Sequence, residues 1–350
     1  MDVSRLQDHI EAYLFTDIHP NVRFGTASDR YAGWIGQIYP DFYGEQIKSR
    51  TRALGGQRFE ERTVPVSSVA DYFGHFGVLE LDFTFYRPLL EPDASPTNNM
   101  RVLYQYAEHA PAEARFFLKA PQQYFVPRLR RQRAGEKPTY EENPQYLDAS
   151  AYTATFLQPA IEVLGDRLAG VIFEQSYQRV SDTPPLEVVL ADLDGFFEKI
   201  PPTVQSHIEL RSPHLLTASY FDWLATRQIG HVFSHWTWLP AIREQWQRCG
   251  GQLTAADKQI ITRLLTPLRM PYAKAYAQAY PFDKPLEAIV NSKEGHDMVL
   301  DVTALAFQAE QNKAILNVIA NNRAWGNAPA LSQAIARRIV DELVRRTPSE

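Results

Sequence analysis

Short runs of apolar residues alternate with longer segments of mixed polarity along most of the chain. Eight of these runs are rich in β-branched and aromatic residues and are bounded by turn formers, which is typical of β-strands. The seventh run contains Pro267, which fits poorly into a central strand, so its strand signal is the weakest. In chain order, the predicted strands are Val22–Thr26, Gly77–Tyr86, Ala114–Ala120, Leu168–Gln175, Ser206–Ser212, Gly230–Trp236, Leu264–Met270 and Ala314–Asn321.

The segments between these runs place apolar residues at helical spacing. The last segment, for example, carries Leu331, Ile335 and Ile339 on one face and charged residues on the other. Eight strands alternating with helices predict an α/β fold, a (β/α)8 barrel of the TIM type, in a single domain over residues 1–350. An open doubly wound sheet is the alternative, but the sequence has neither of the glycine-rich phosphate-binding motifs that would support it.

Two connections are unusually long, Arg87–Asn99 after the second predicted strand and Gln122–Gln145 after the third. Loops of this length in a compact domain are commonly functional or disordered. They emerge on the side of the barrel where enzymes of this fold build their sites. Residues 1–20 are expected to form a helical N-terminal extension.

Polar and apolar residues alternate in the second predicted strand, where Glu80, Asp82, Thr84 and Tyr86 share one face. In a parallel barrel, helices cover the outer face of each strand and side chains fill the inside, so neither face is freely solvated. The apolar face suits contact with the helices. We therefore expect the acids to point into the barrel.

Charged and amide side chains also mark the carboxyl ends of other predicted strands, at the rim where TIM-type enzymes place their sites. In the fifth strand, His207, Glu209 and Arg211 share one face. Buried acids need partners, so one interpretation is an ion-pair network that only closes the barrel. The other is a site whose cations hold an anionic ligand. The candidate ligand-binding residues at this rim are Lys119, Arg211, Arg269, Asn321 and Asn322.

Composition and charge narrow the class of protein. The net charge of −5 and the pI near 6.0 argue against indiscriminate binding to a nucleic-acid backbone, although the basic run Arg128–Arg133 suits an anionic partner. Cys249 is the single cysteine, which excludes an intramolecular disulfide and fits a reducing cytosol. Without a signal peptide or a long apolar stretch, the sequence predicts a cytoplasmic protein that does not bind membranes. It leaves the oligomeric state and partner proteins open.

No spaced metal-binding motif such as H-E-x-x-H occurs in the sequence. His231 and His235 are four residues apart, which suits a metal on a helix but not on a strand, and His207 is typical of a barrel core. Because Arg211 beside Glu209 indicates charge pairing, no cofactor is predicted. A divalent metal bound by the acids is the alternative.

Six short motifs occur in order along the chain: FGTASDRYAGWIGQIYPDFY, LELDFTFYRPL, FFLKA, IELRSPHLL, TPLRMPY and VIANNRAWGNAPALSQAI. Together they resemble the pattern of the YecE-like family, or domain of unknown function 72, and the resemblance extends from about Phe24 to Ile339. It implies a TIM-type barrel without an established activity. The residues it highlights are Tyr31, Trp34, Glu80, Thr84, Tyr86, Lys119, Glu209, Arg211, Arg269, Asn321 and Asn322.

The chain also departs from the pattern of that family at several rim positions. Ser28 and Asp29 replace a Gly-Trp pair, and Arg323 replaces a histidine. The Thr-His step after Lys119 is missing, and FEQSYQRV replaces a Gln-x-Pro-Pro segment. These departures imply a different ligand or a lost activity.

Three hypotheses of function follow, and the sequence leaves open whether the protein is an enzyme. The first is a hydrolase or lyase acting on a small polar or anionic molecule, with Glu209 as the first candidate for general acid–base catalysis and Glu80 as the second. Tyr31, Trp34 and Tyr86 would help to bind that molecule. The second is a non-catalytic protein that binds a small ligand, and the third is a metal-dependent enzyme acting on nucleic acid or nucleotides.

Overall fold

Parallel pairing of eight strands closes a barrel, so the predicted TIM-type (β/α)8 fold is confirmed. The structure is a computed structural model that describes residues 2–131 and 139–346. Each barrel strand pairs with the next along the chain, and the last pairs with the first. The strands are β1 (Val22–Ala27), β2 (Val78–Leu81), β3 (Phe116–Lys119), β4 (Leu168–Gln175), β5 (Ser206–Leu210), β6 (Gly230–His235), β7 (Gln259–Leu264) and β8 (Ile315–Ala320).

Two of the predicted strands differ from those observed by more than two residues at one or both ends. The prediction of Leu264–Met270 as the seventh strand is wrong, because β7 ends at Leu264, where that segment begins. The residues Ile261–Leu264 pair with both β6 and β8, whereas Pro267 lacks the N–H that a central strand must donate. The second predicted strand is too long, since β2 ends at Leu81 and a 3-10 turn follows over Asp82–Phe85.

Helices surround the barrel and bury their apolar faces against the outer side of the strands in one large cluster. Side-chain caps begin several of them, as where Thr97 and Ser292 accept hydrogen bonds from the first turn. A π-helical turn, Thr153–Leu157, precedes Pro159. The α-helices are Val3–Glu11, Val69–His75, Asn98–His109, Gln122–Phe125, Ala149–Tyr152, Gln158–Leu164, Leu186–Phe197, Ala218–Arg227, Ile242–Arg248, Tyr272–Ala279, Glu287–Val290, Lys293–Gln311, Asn322–Trp325 and Ala328–Arg346.

The N-terminal helix packs against the C-terminal one. The Gln333 side chain donates a hydrogen bond of 3.0 Å to the Ile10 carbonyl, and Arg337 pairs with Glu11 at 2.8 Å. Within residues 2–131 and 139–346, none of the helices combines the length and the apolar character that crossing a membrane requires.

A β-hairpin formed by Lys48–Leu54 and Gln57–Thr63 follows β1 and packs on the helix Tyr272–Ala279 that follows β7. The Arg52 guanidinium lies 5.0 Å from the centre of the Tyr276 ring. The hairpin therefore belongs to the loops on the carboxyl side of the barrel.

Inward-facing side chains fill the barrel in levels. At the lowest, the His207 ring lies against the backbones of Gly170 and Gly230, where a Cβ atom would come within 3.1 and 2.0 Å of the ring. The next level is apolar, and these two levels together are called the lower lumen. Above them, toward the carboxyl ends of the strands, the upper lumen is charged. The apolar level comprises Ala27, Val78, Phe117, Ile172, Val232, Ile261 and Ile319.

Candidate functional site

The upper lumen contains a set of charged side chains that contact one another, which we call the charge network. Period-two alternation places four of its members two residues beyond an apolar residue of the same strand, as with Ile261 and Arg263 on β7. The parallel register sets Glu174 of β4 directly beside Glu209 of β5. The charge network consists of Glu80, Asp82, Lys119, Glu174, Glu209, Arg211 and Arg263.

Arg263 lies at the centre of the charge network, with its side chain only 2% exposed. Its Nε and Nη2 donate to the two carboxylate oxygens of Glu80 at 2.7 and 2.5 Å. Its Nη1 donates to Glu209, and Asp82 Oδ1 lies 3.6 Å from Nη2. One buried guanidinium thus connects acids from β2 and β5, which lie on different sides of the barrel.

Lys119 and Arg211 complete the charge network nearer the mouth of the barrel. Lys119 Nζ donates to Glu174 and lies 3.9 Å from Asp82 Oδ1. Arg211 Nη1 lies 2.5 Å from Glu174 Oε1, and Arg211 also donates to Glu209 at 3.3 Å. Each cation of the network therefore has an acid as partner.

Aromatic rings and hydroxyl groups hold these side chains in place. Lys119 Nζ lies 4.1 Å from the centre of the Phe85 ring, and the Arg211 guanidinium lies 4.8 Å from that of Trp236. Thr84 Oγ1 accepts from the Lys119 backbone N–H and donates to its carbonyl, so the 3-10 turn after β2 continues the pairing with β3. Ser234 Oγ donates to Glu209 at 2.7 Å.

Four carboxylates in the charge network face three cations, so one proton is needed to balance the charge. Burial raises the pKa of Glu80 to about 8, an effect that Asp82 increases and Arg263 opposes. Burial also acts to raise the pKa of Asp82, but Lys119, Glu80 and Arg263 outweigh it and lower that pKa. At neutral pH this pair of acids therefore holds the extra proton mainly on Glu80.

For Glu209, unlike Glu80, the neighbouring cations affect the pKa more than burial does. Burial acts to raise its pKa, but Arg211, Arg263 and Lys119 outweigh burial and lower the pKa to about 2. Glu209 is therefore ionised at neutral pH.

Exposure increases from the floor of the charge network to its opening. The side chains of Glu80 and Glu209 are 0% exposed, whereas Arg211 is 15% and Asp82 is 28% exposed. Asp82 Oδ1 is itself buried and has no hydrogen-bond partner within the described residues. Asp82 is thus the acid of the network that a molecule in the mouth reaches first.

Three of the sequence-predicted binding residues support the fold around the mouth. Trp34 is fully buried, and its indole N–H donates to Asn322 Oδ1 at 3.1 Å. The same oxygen accepts from the Ala328 backbone N–H at 2.8 Å. Asn321 accepts from the Arg323 backbone N–H and caps the short helix after β8.

Other predicted binding residues lie farther out. The Tyr31 ring packs on Trp34 and Phe282, with centroids 4.9 and 5.4 Å away. Tyr86 is 69% exposed. Arg269 is exposed in the loop after β7, with a φ of +60°, so its placement at the end of a strand is wrong.

Arg263 is the residue that the sequence reasoning missed. The predicted seventh strand begins at Leu264, one residue after Arg263, and contains Arg269 instead. The run Ile260–Leu265, apolar except at Thr262 and Arg263 and followed by Pro267, is the signal that identifies β7. Asp82 is expected from the sequence to point into the barrel, but neither it nor Glu174 at the end of β4 is among the predicted site residues.

The three barrel histidines are buried, and His235 Nε2 lies 3.8 Å from Glu294 Oε1. Burial lowers the pKa of His207, His231 and His235 to about 4 in each case. In the part of the chain that the structure describes, no group of three or more His, Cys, Asp or Glu residues is placed to hold a metal ion.

The predicted basic run is only partly within the described residues. Arg128–Arg131 forms a strand that pairs with Thr139–Glu142, and Arg128 Nε lies 3.1 Å from Glu142 Oε1. Gln132 and Arg133 lie outside the described residues.

Comparison with known proteins supports the fold and the resemblance seen in the motifs. The sequence profile of the family described as "Protein of unknown function DUF72" matches residues 23–350. A crystal structure of a DUF72 family protein from Thermotoga maritima MSB8 aligns with a TM-score of 0.52 and 14% identity over 91% of this chain and 99% of that one. One from Enterococcus faecalis V583 aligns with a TM-score of 0.50 and 15% identity over 91% and 95%. No curated protein matches the sequence.

Proposed function

The chain belongs to the DUF72 family of proteins of unknown function, and we propose that this member is an enzyme of the hydrolase or lyase type. Its substrate would be a small polar molecule bound at the mouth of the barrel. The observation that carries the proposal is the state of Asp82, an ionised acid at the opening whose buried Oδ1 lies 3.9 Å from Lys119 Nζ and accepts no hydrogen bond from a cation of the charge network. A buried carboxylate oxygen without such a donor is costly, so a bound hydroxyl, amine or water would stabilise it.

Asp82 and Glu80 suit proton transfer as a pair. Their pKa values are shifted in opposite directions, and such separation is a recurrent property of acid–base pairs in active sites. Asp82 would accept a proton from a water or a substrate hydroxyl, and Lys119, 3.9 Å from Asp82 Oδ1, would stabilise the charge that changes there.

The sequence-based assignment of catalysis to Glu209 first and Glu80 second stays a prediction. The contacts favour Asp82 over Glu209, because Glu209 is fully buried and accepts from Arg211, Arg263 and Ser234. Glu209 would then act as a positioning residue that keeps both guanidinium groups in place.

The charge of the ligand also stays a prediction. The cations of the charge network are engaged with its acids, so an anionic ligand would need cations outside it. Arg269 is exposed, and Arg323, which packs 4.6 Å from the centre of the Tyr272 ring, has a buried Nε without a hydrogen-bond partner among the described residues. These two arginines are the candidates for binding a phosphate or carboxylate.

A divalent metal bound by the acids of the charge network would compete with their ion pairs. To bind Glu80, Glu174 or Glu209, it would have to displace the arginine or lysine that now donates to each carboxylate. We therefore propose proton transfer without a metal ligated by these acids. Plasma mass spectrometry of the gently purified protein checks this, and stoichiometric metal that is lost in Glu209→Gln would contradict it.

The enzyme hypothesis is tested by turnover of 4-methylumbelliferyl esters, phosphates and glycosides, followed by the fluorescence of the released product. We expect one class to be turned over by the wild type and Asp82→Asn to reduce the rate at least about 100-fold. Turnover should also fall as pH rises through about 8, where Glu80 loses its proton. Asp93→Asn is the matched control, because Asp93 is an exposed acid in the same loop.

Equal rates in Asp82→Asn and the wild type, or no turnover of any of the three classes, would contradict the proposal. The second result would favour a non-catalytic protein that binds a small ligand. The pairing of every cation in the charge network supports that second candidate, since such a network also serves to close a barrel.

A further inference from the structure

Exposed aromatic side chains concentrate on the loops at the mouth of the barrel. Tyr86 follows β2, Tyr177 follows β4 and Trp238 follows β6, and they are 69%, 44% and 51% exposed. On the outer helices, by contrast, Tyr104 is the single strongly exposed aromatic residue within the described ranges. Exposed apolar surface gathered on one face marks a binding surface more often than scattered exposure does.

Tyr177 and Trp238 form a pair that we call the aromatic platform. Their ring centroids are 6.2 Å apart with planes inclined at 41°, so they meet at an angle and each keeps exposed surface. The loop that carries Tyr177 is fixed by a 3.0 Å hydrogen bond from the Gln178 backbone N–H to Ser212 Oγ. The platform is therefore built by two loops and held by a third.

The aromatic platform adjoins the charge network. Trp236, two residues before Trp238, packs on the Arg211 guanidinium, which in turn pairs with Glu174. A molecule lying on the platform would extend toward the acids of the mouth. The platform is thus placed as a neighbouring part of the same site.

Tyr86 lies across the mouth from the aromatic platform. In the closed ring of eight strands, β2 and β6 are diametrically opposite. The spacing and tilt of strands in such a barrel set a diameter of roughly 15 Å. A ligand that contacts both Trp238 and Tyr86 is therefore longer than one small ring.

The charges at the mouth favour a neutral ligand rich in hydroxyl groups. Four acids face three cations in the charge network, and the nearby Arg323, which acts to lower the pKa of Asp82, only balances them, so a polyanion such as single-stranded nucleic acid meets no excess of positive charge there. Asp82 Oδ1 accepts no hydrogen bond from a cation of the charge network, whereas each cation already donates to another acid. Hydroxyl groups supply the missing donors, and the flat faces of linked sugar rings suit tyrosine and tryptophan side chains.

We infer that the mouth of the barrel binds a neutral oligosaccharide, with successive rings lying on the aromatic platform and above Asp82. The inference rests on the proposed function, because it names the substrate class of that site. It assigns Tyr177 and Trp238 to substrate binding and leaves proton transfer to Asp82.

Isothermal titration calorimetry with cellohexaose, maltohexaose, xylohexaose and chitohexaose tests the inference on the full-length protein. We expect at least one hexasaccharide to bind the wild type, and Trp238→Ala and Tyr177→Ala each to weaken its binding by about tenfold or more. Tyr104→Ala is the matched control, an equally exposed aromatic residue on an outer helix, and should bind as the wild type does.

The inference is overturned if none of the four hexasaccharides binds at about millimolar concentration, or if Trp238→Ala and Tyr177→Ala both bind like the wild type. Binding of an oligothymidylate in place of the sugars would overturn it as well and indicate single-stranded nucleic acid.

Comparison with Asp82→Asn separates the two proposals. If that variant keeps oligosaccharide affinity while turnover is lost, both proposals hold. If the platform variants bind normally and Asp82→Asn loses turnover of the fluorogenic compounds, only the sugar inference fails. If the platform is needed for binding but no bound sugar is cleaved, only the enzyme hypothesis fails.

Discussion

Ile261 and Arg263 are two residues apart on β7 and point into the same barrel, but they meet opposite surroundings. Ile261 belongs to the apolar cluster of the lower lumen, whereas Arg263 contacts acids of the upper lumen. Both side chains are at most 2% exposed. These two positions therefore differ in chemistry and not in access to water.

That difference separates the stability of the barrel from its candidate chemistry. Apolar burial stabilises a fold at little cost, whereas burying ions requires desolvation that ion pairs only partly offset. Replacing a buried ion pair by well-packed apolar residues is often neutral or stabilising. A charged upper lumen above an apolar lower one is therefore better explained by a role in binding or proton transfer than by stability alone.

Arg263→Met should give the largest effect, because it leaves Glu80 and Glu209 buried without their shared partner. Breaking a buried ion pair on one side costs about 3–5 kcal/mol of unfolding free energy. Urea denaturation followed by circular dichroism measures this loss. Arg263→Lys keeps a charge and should fold with a smaller loss, which provides a second measurement if Arg263→Met does not fold.

Arg227→Met is the matched control for Arg263→Met. Arg227 also contacts two acids, Asp194 at 2.8 Å and Glu198 at 2.9 Å, but on the outer surface where solvent screens the charges. Arg227→Met should lose far less unfolding free energy than Arg263→Met. Similar losses in the two variants would show that the upper lumen has no special dependence on its charges.

Much of the upper lumen could be predicted because strand alternation is local. Glu80 and Glu209 each lie between apolar neighbours, and a period of two is enough to direct them inward once a parallel barrel is recognised. Lys119 and Arg211 were likewise assigned to the rim, and the structure brings both into contact with these acids or with Glu174.

The partners of these side chains could not be predicted in the same way. Arg263 and Glu80 are separated by 183 positions, so their contact depends on the register of the whole barrel. The predicted seventh strand, Leu264–Met270, contains Pro267 and begins where β7 ends. Arg269 was therefore chosen as the inward-facing arginine in place of Arg263. The end of β2 at Leu81 depends on Thr84, whose hydroxyl bonds to the Lys119 backbone of another strand.

Acid should destabilise the lower lumen in a defined pH range through His207. Its pKa is 6.5 in the unfolded chain and about 4 in the fold, lowered mainly by burial. Above pH 6.5 both states are neutral and stability is complete. Between pH 6.5 and 4 the unfolded state alone takes up the proton, so about 3 kcal/mol is lost in total.

Urea denaturation at several pH values compares the wild type with His207→Leu. The variant should lose less stability between pH 6.5 and 4, although His231 and His235 contribute to the decline in both proteins. Glu209 of the upper lumen, with a pKa lowered to about 2, should act only below pH 4.5. Parallel curves for the two proteins above pH 4 would contradict the assignment to His207.

Gly230→Ala should give a smaller effect, from packing alone, at the bottom of the same lower lumen. The added Cβ would lie 2.0 Å from His207 Nδ1, so the ring must move against Phe117 and Gly170. Overpacking of this kind costs about 1–3 kcal/mol, which urea denaturation at pH 7 measures. In a His207→Ala background the same substitution should cost much less, because the clashing ring is gone.

Gly195→Ala is the matched control, and its effect should have the opposite sign. Gly195 lies inside the helix Leu186–Phe197, and nothing lies within 4 Å of the position that its Cβ would take. Alanine there should stabilise the protein by about 0.5–1 kcal/mol, because it loses less conformational freedom on folding. If Gly230→Ala were equally harmless, the His207 ring would not fill the lower lumen tightly. Its burial, and the acid sensitivity that follows from burial, would then need another explanation.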